Sequence, residues 1–174
     1  MTRSESEPIA RAVAKVRRVF AARPQVARAD DAPATATMAG GLRCEIAHPS
    51  GYRVHTDMPA ALAGGDTSPP PGWYLRAAMA ACASTLITMR AAELGIALDA
   101  LSVTVRSQSD KRGMLGMDDV GAGCDDLRME VSLAAAGVSP AALRDVVEWS
   151  YAHAPVSSTI ASAPACQLTV DAGG

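Results

Sequence analysis

The sequence predicts a single α+β domain built around one long apolar helix. Its length of 174 residues suits one domain. Its composition, 49% hydrophobic and 20% charged, is enough for a core that needs no disulfide or metal. An apolar stripe at helical spacing lies between segments that alternate like strands. The resulting order, a helix, three strands, a helix, two strands, a helix and a strand, favours two antiparallel sheets packed with helices.

The first element is a helix predicted over Glu7–Ala22. Ile9, Val13, Val16 and Phe20 recur at helical spacing, with basic residues between them. We therefore divide the chain into an N-terminal helical segment, residues 1–24, and a domain over residues 25–174. The pattern leaves open whether this helix packs on the domain or lies at its periphery.

Strands are predicted on both sides of the central helix. The turn sequence His48-Pro49-Ser50-Gly51 predicts a hairpin of the two strands that flank it. Between residues 108 and 127 lies a long loop, and such loops inside compact domains are usually functional or disordered. The predicted strands are Gln25–Ala39, Leu42–Ala47, Tyr52–Asp57, Leu101–Gln108, Leu127–Leu133 and Cys166–Val170.

The central helix is the strongest prediction from the pattern. Pro69, Pro70 and Pro71 mark its start, because proline is tolerated only in the first turn, and Gly95 marks its end. The apolar stripe consists of Leu75, Met79, Cys82, Leu86 and Met89. Many alanines make the helix slim, so neighbouring elements can approach it closely. A further helix is predicted from the Ser139-Pro140 cap to about Ala152.

Charge and cysteine usage exclude several classes of function. The net charge of −2 gives no electrostatic basis for binding nucleic acid or a membrane surface. The sequence contains no uninterrupted apolar run of the kind found in a signal peptide or a membrane span. Its four cysteines are scattered without a C-x-x-C pair, which predicts reduced thiols and a cytoplasmic protein. We expect no cofactor and no metal, since Cys44, His48 and His55 do not make a convergent zinc set.

Cys82 is the candidate reactive residue. A cysteine on an apolar helical stripe is, by spacing alone, more often a small core residue. It lies about three turns from the start of the helix, too far for the helix dipole to stabilise a thiolate. A reactive thiolate there would need a cation from elsewhere, since Arg76 and Arg90 point to other faces of the helix.

Two motifs resemble those of the OsmC-like family. The first consists of Gly64-Gly65-Asp66, Ser68-Pro69-Pro70-Pro71 and the helix around Ala80-Ala81-Cys82-Ala83; the second is Ala152–Ile160, where the family usually has Cys-Pro-Val-Ser. The resemblance extends from about Thr35 to Val170. It implies an intertwined homodimer in which two antiparallel sheets surround long central helices. It also implies reduction of organic hydroperoxides through a cysteine at the position of Cys82.

The chain departs from the family pattern at two positions. Ala154 stands where the family has its second, resolving cysteine, and Gly72 and Trp73 stand where a glutamate is expected. Arg43, after Gly40-Gly41, is similar to the family's activating arginine. The resemblance therefore implies a single catalytic cysteine, Cys82, activated by Arg43. An external thiol, or Cys44, would then reduce the oxidised sulfur.

The sequence is compatible with two functions. One is thiol-dependent reduction of small apolar hydroperoxides by the homodimer. The alternative is a homodimer that performs no catalysis and binds an apolar small molecule. The residues that could line an apolar site, or simply form dimer core, are Trp73, Tyr74, Met79, Met114 and Met117.

Overall fold

A computed structural model describes residues 2–173, with two antiparallel sheets and five α-helices in that part of the chain. The three-stranded sheet has the order β1-β2-β3, and the two-stranded sheet pairs β4 with β5. The elements are α1 Arg3–Ala22, β1 Thr35–Met38, β2 Cys44–Ala47, β3 Arg53–Thr56, α2 Pro71–Glu93, β4 Ala100–Gln108, α3 Lys111–Met114, β5 Asp125–Ala134, α4 Pro140–Ala152 and α5 Pro155–Ala161. The predicted α+β class with two antiparallel sheets is confirmed.

The central helix α2 begins and ends where the sequence predicts. Pro71 occupies its first turn, where the missing N–H costs no hydrogen bond. At the other end Gly95 has a φ of +69°, and the amides of Gly95 and Ile96 donate to the carbonyls of Ala92 and Ala91. This pair of bonds is a Schellman motif, which requires a residue that tolerates the left-handed region.

The core lies where α2 meets α4 and the two-stranded sheet. Ile87, Ala91, Leu98 and Val146 form its buried cluster. Alternate residues of β4 and β5, such as Val103 and Val131, pack against this cluster. Burying an aliphatic side chain of this size stabilises the fold by roughly 1.5–3 kcal/mol. The core therefore fixes α2 along its second half.

The three-stranded sheet has one apolar and one polar face. Residues directly opposite each other in an antiparallel ladder share a face, so the register sorts the side chains. The mainly apolar face contains Ala36, Met38, Cys44, Ile46, Val54 and Thr56. The mainly polar face contains Thr35, Thr37, Glu45, Ala47, Arg53 and His55. Glu45 pairs with Arg53 at 3.0 Å and lies 3.5 Å from His55.

Most of the apolar face of this sheet is uncovered in the single chain, and only Thr56 at its end is buried. Met38 is 83% exposed and Val54 is 45% exposed. The main packing partners of the helices are other helices and β4–β5, whereas β1, β2 and β3 pack mainly on one another. A sheet normally buries its apolar face against another layer.

A buried carboxylate closes the loop between β3 and α2. Asp57 accepts hydrogen bonds from the amides of Met58, Gly65 and Thr67 and from the Thr67 hydroxyl, at 2.8–3.2 Å. Gly64 passes so close to Met58 that an added Cβ would overlap the Met58 carbonyl. These contacts fold residues 57–67 into a compact loop that sets the start of α2.

Two predicted strands need correction, and two helices were not predicted. The first strand spans only Thr35–Met38, since Pro24–Ala27 form a short 3-10 turn and no strand forms between them. The predicted strand at Cys166–Val170 is wrong: these residues are exposed and belong to no strand. Helix α5, Pro155–Ala161, was not predicted, and neither was the short helix α3, Lys111–Met114, inside the predicted loop. No helix among residues 2–173 is long and apolar enough to cross a membrane.

Candidate functional site

Cys82 is a half-buried free thiol on α2. The buried stripe of this helix runs through Met79, Ala83 and Ile87, and Cys82 lies at its flank. Within the described chain no hydrogen bond or ion pair involves the Cys82 sulfur. The thiol is therefore partly accessible, and no described contact within residues 2–173 supplies the cation that a reactive thiolate would need.

Arg43 lies in the exposed turn between β1 and β2. Its backbone shapes this turn, since its amide donates to the Gly40 carbonyl at 3.1 Å and its carbonyl accepts from the Ala39 amide at 2.8 Å. The described contacts include no hydrogen bond between the Arg43 side chain and Cys82. Activation of Cys82 by Arg43 stays a prediction, and the turn that carries Arg43 borders the uncovered apolar face.

The family's resolving position is occupied by a buried alanine. Ala154 has 0% exposure and is the residue that immediately precedes α5. One turn later, the Ser157 hydroxyl is buried and has no hydrogen-bond partner among residues 2–173. Methyl and hydroxyl groups cannot form a disulfide with an oxidised Cys82, so resolution would require another thiol.

The five residues predicted to line an apolar site are not gathered in one place by the described contacts. Trp73, Met114 and Met117 are each about half exposed, whereas Met79 is buried. The Tyr74 hydroxyl donates to the His55 carbonyl at 2.7 Å and ties α2 to β3. Its ring also meets the ring of Trp73 edge-on, 5.1 Å between centroids.

Two grooves were not predicted from the sequence. One of about 300 Å³ is mainly apolar and lies between α2, β5 and α4, where Ala83, Ile87 and Val131 line it. The other, of about 500 Å³, is polar and lies between Arg76 of α2 and the adjacent ends of β4 and β5. None of the five predicted residues lines either groove. In residues 2–173 no group of three or more His, Cys, Asp or Glu side chains could hold a metal ion.

The structure is thus that of an α+β protein whose central helix carries a half-buried cysteine, Cys82. The sequence matches the family model described as OsmC-like protein over residues 64–169, more than half of the chain. The chain therefore belongs to the OsmC-like protein family. No curated protein matches it by sequence.

Solved structures share this fold at low sequence identity. An OsmC-like protein from Mycoplasma pneumoniae is 13% identical, with a TM-score of 0.65 over 78% of this chain and 91% of that one. An organic hydroperoxide resistance protein from Elizabethkingia anophelis is 19% identical, with a TM-score of 0.59 over 76% and 89%. The organic hydroperoxide resistance protein of Bacillus subtilis is 21% identical, with a TM-score of 0.51 over 75% and 90%. At such identities the likeness establishes the fold alone.

Proposed function

We propose that this protein reduces organic hydroperoxides through Cys82, using an external thiol as reductant. The observation that supports this most directly is a half-buried free thiol on the central helix of a chain that belongs to the OsmC-like family. Proteins with the same fold include ones named for organic hydroperoxide resistance. The nucleophile in this chemistry is the thiolate form of the cysteine.

The proposed reaction has two stages. The Cys82 thiolate attacks the terminal peroxide oxygen, the O–O bond breaks, and the leaving alkoxide takes a proton to give the alcohol and a cysteine sulfenic acid. An external thiol then condenses with the sulfenic acid, releasing water and forming a mixed disulfide. A second external thiol reduces that disulfide and regenerates Cys82. Because Ala154 has no thiol, the group that reduces the sulfenic acid has to come from elsewhere.

A cation is needed to stabilise the thiolate and the developing alkoxide. We propose that the protein is a homodimer in which the apolar face of the three-stranded sheet packs on a second copy. This arrangement would carry the Arg43 turn to the partner chain, where it could meet Cys82. The exposed Met38 and Val54 side chains support it, because an open apolar sheet face favours association.

The test is sulfenate trapping on the reduced protein, measured by intact mass after addition of cumene hydroperoxide. We expect rapid trapping in the wild type and none in Cys82→Ser. Cys124→Ser is the matched control, because Cys124 is an exposed free thiol on the 115–124 loop. Arg43→Gln should slow the reaction by about ten-fold or more, as loss of a charge-stabilising donor typically does.

Labelling that is equally fast in Cys82→Ser and in the wild type would contradict the proposed function. So would a Cys82 that reacts no faster than free cysteine. Circular dichroism of each variant separates a chemical effect from a loss of fold, since a serine in place of a half-buried cysteine is a small change in volume.

The apolar groove favours a second candidate function, the binding of a small apolar molecule. Its lining of Ala83, Ile87, Met129 and Val131 offers aliphatic contacts in a concave site, the usual setting for such ligands. Native mass spectrometry of freshly purified protein should then show a bound molecule. Filling the groove with Met129→Trp should remove it, whereas a bare mass for the native protein would count against this function.

A further inference from the structure

The polar groove is lined by an unusual number of cations for an acidic protein. The chain carries a net charge of −2, but the side chains that line this groove include four cations and one carboxylate. The lining consists of Arg76, Val105, Arg106, Ser107, Gln108, Ser109, Lys111, Asp126 and Arg128. A cleft lined by charges of one sign concentrates ions of the opposite sign.

Two of the four cations are already neutralised. Arg128 lies 2.7 Å from Asp126, which also accounts for the one carboxylate in the groove. Arg106 pairs with Glu130 across the β4–β5 ladder at 3.4 Å. Neither of these arginines needs a further anion.

Arg76 and Lys111 have no carboxylate partner within residues 2–173. Arg76 donates to the Ser107 hydroxyl at 3.1 Å, and Lys111 donates to the Ser109 hydroxyl at 2.7 Å. Ser107, near the end of β4, and Ser109, just after it, both line the groove. A half-buried guanidinium that has only a neutral partner retains donors for a charged acceptor.

We propose that this groove binds a small anionic molecule, whose carboxylate or phosphate group is held between Arg76 and Lys111. The guanidinium offers a planar pair of donors that matches either oxyanion, and the ammonium adds a second positive charge. The hydroxyls of Ser107 and Ser109 are already in contact with these cations and can donate to the same oxygens. A volume of about 500 Å³ accommodates a metabolite-sized ligand.

The groove is separate from the Cys82 thiol. Arg76 and Cys82 are six residues apart on α2, which is about 9 Å along the axis and about 120° around it. An anion bound to Arg76 therefore lies on another face of the helix. The inference does not depend on the proposed hydroperoxide chemistry.

The backbone around Lys111 is held in place by a close contact between glycines. A Cβ added at Gly113 would overlap the Gly121 carbonyl, so α3 and the segment before β5 touch backbone to backbone. Asp110 caps α3 by accepting from the Arg112 amide at 3.0 Å and also pairs with the Arg112 side chain. The position of Lys111 beside Ser109 is thus supported by the fold of the loop.

Isothermal titration of the full chain at constant ionic strength, in chloride buffer, tests the proposal with two probes, inorganic phosphate and succinate. We expect saturable binding of at least one probe. Arg76→Gln and Lys111→Gln should each raise the dissociation constant by about ten-fold or more, the usual effect of losing a hydrogen bond between charged groups. Binding of phosphate alone would identify a phosphate ligand, and binding of succinate alone a carboxylate.

Arg144→Gln is the matched control, since it removes the same charge from an exposed site on α4 and should leave binding unchanged. Arg76→Lys, which keeps the charge but loses the planar fork, should bind with intermediate affinity. The proposal is overturned if neither probe binds saturably. It is also overturned if Arg76→Gln and Lys111→Gln, folded by circular dichroism, bind as tightly as Arg144→Gln.

Discussion

At the residue scale, the hydrogen bonds of Asp57 lower its pKa from 3.8 to about 2, the largest contribution being the Thr67 hydroxyl, followed by the amides of Thr67 and Met58. Only 3% of Asp57 is exposed, so its carboxylate has protein donors in place of water. Each donor stabilises the charged form, and none of them can serve a protonated carboxyl equally well. The compact 57–67 loop thus depends on one negative charge.

The sign of the pH dependence follows from that lowered pKa. The contribution of Asp57 to stability is complete above its unfolded pKa near 3.8 and is lost as the pH falls toward 2. We therefore expect Asp57→Asn to lower the melting temperature by several degrees at pH 7. The difference from the wild type should shrink between pH 4 and pH 2, as measured by circular dichroism melts.

Asp66→Asn provides the control for this pH series. Asp66 is exposed in the same loop and has a φ of +53°, a region that asparagine tolerates well. Its melting temperature should follow the wild type at every pH. A difference between Asp57→Asn and the wild type that does not change with pH would contradict the assigned role of the charge.

At this scale, the sequence singled out individual residues only where a local pattern marked them. Cys82 stood out because it matches the position of the family's reactive cysteine, and its role stays a prediction. Ser139 stood out because it precedes a proline at a helix start. The Ser139 hydroxyl does accept from the Ala142 amide at 3.2 Å. The cations Arg76 and Lys111 carried no such mark, because they come from separate elements and meet only after α2 packs on β4.

At the element scale, α1 is attached to α2 and α4 by a cluster of charged and aromatic side chains. Arg17 of α1 lies 3.0 Å from the Glu93 carboxylate, and Arg90 lies 3.6 Å from it. The Arg90 guanidinium covers the Trp149 ring at 4.5 Å, and His153 stacks on that ring at 4.1 Å. Glu93 is the only carboxylate among these five residues, and its side chain is 13% exposed.

Removing the Glu93 charge should loosen α1. In Glu93→Gln the guanidinium groups of Arg17 and Arg90 would repel each other beside the same ring, with no carboxylate between them. We expect a loss of about 1–3 kcal/mol in the free energy of unfolding, in the range for hydrogen bonds to charged groups. Hydrogen exchange should show the loss concentrated in the amides of α1.

Glu7→Gln is the corresponding control. The Glu7–Arg11 pair lies within α1, is exposed on both sides and measures 3.5 Å. Removing it should cost no more than about 0.5 kcal/mol. Equal losses in the two variants would mean that Glu93 does not anchor the helix.

Element boundaries were predictable where backbone chemistry fixes them. Prolines and Gly95 delimit α2, and the His48–Gly51 turn delimits the hairpin of β2 and β3. Helix α5 was missed because Ser157, Ser158 and Thr159 are weak helix formers, and its contacts with α2 and α4 stabilise it instead. The strand predicted at Cys166–Val170 has a suitable alternation, but a strand also needs a neighbour, and no described strand pairs with it.

At the scale of the whole molecule, the single chain has one covered sheet and one open sheet. The face of β4–β5 that contains Val103 and Val131 packs on the core, whereas the face of β1–β3 that contains Met38 and Val54 is exposed. We propose that a second copy of the chain covers this face. A homodimer also offers the simplest route by which Arg43 could approach a Cys82 thiol.

Light scattering coupled to gel filtration tests the dimer. The wild type should have about twice the 17.9 kDa mass of the chain. Val54→Lys places a charge on the β3 edge of the apolar face and should shift the mass toward that of one chain, because an unpaired charge is costly to bury.

Thr37→Lys supplies the comparison, since Thr37 belongs to the polar face of the same sheet. This variant should retain the mass of the wild type. A wild-type mass equal to one chain, or equal masses for the two lysine variants, would refute the proposed interface.

Because the apolar face of β1–β3 is open in one chain, dimer formation would make the stability of the native protein depend on its concentration. If association buries Met38 and Val54, each ten-fold dilution weakens the native state by about 1.4 kcal/mol per mole of dimer. Its melting temperature would then rise with protein concentration. The cell would thus set the stability of this protein partly through the amount that it makes.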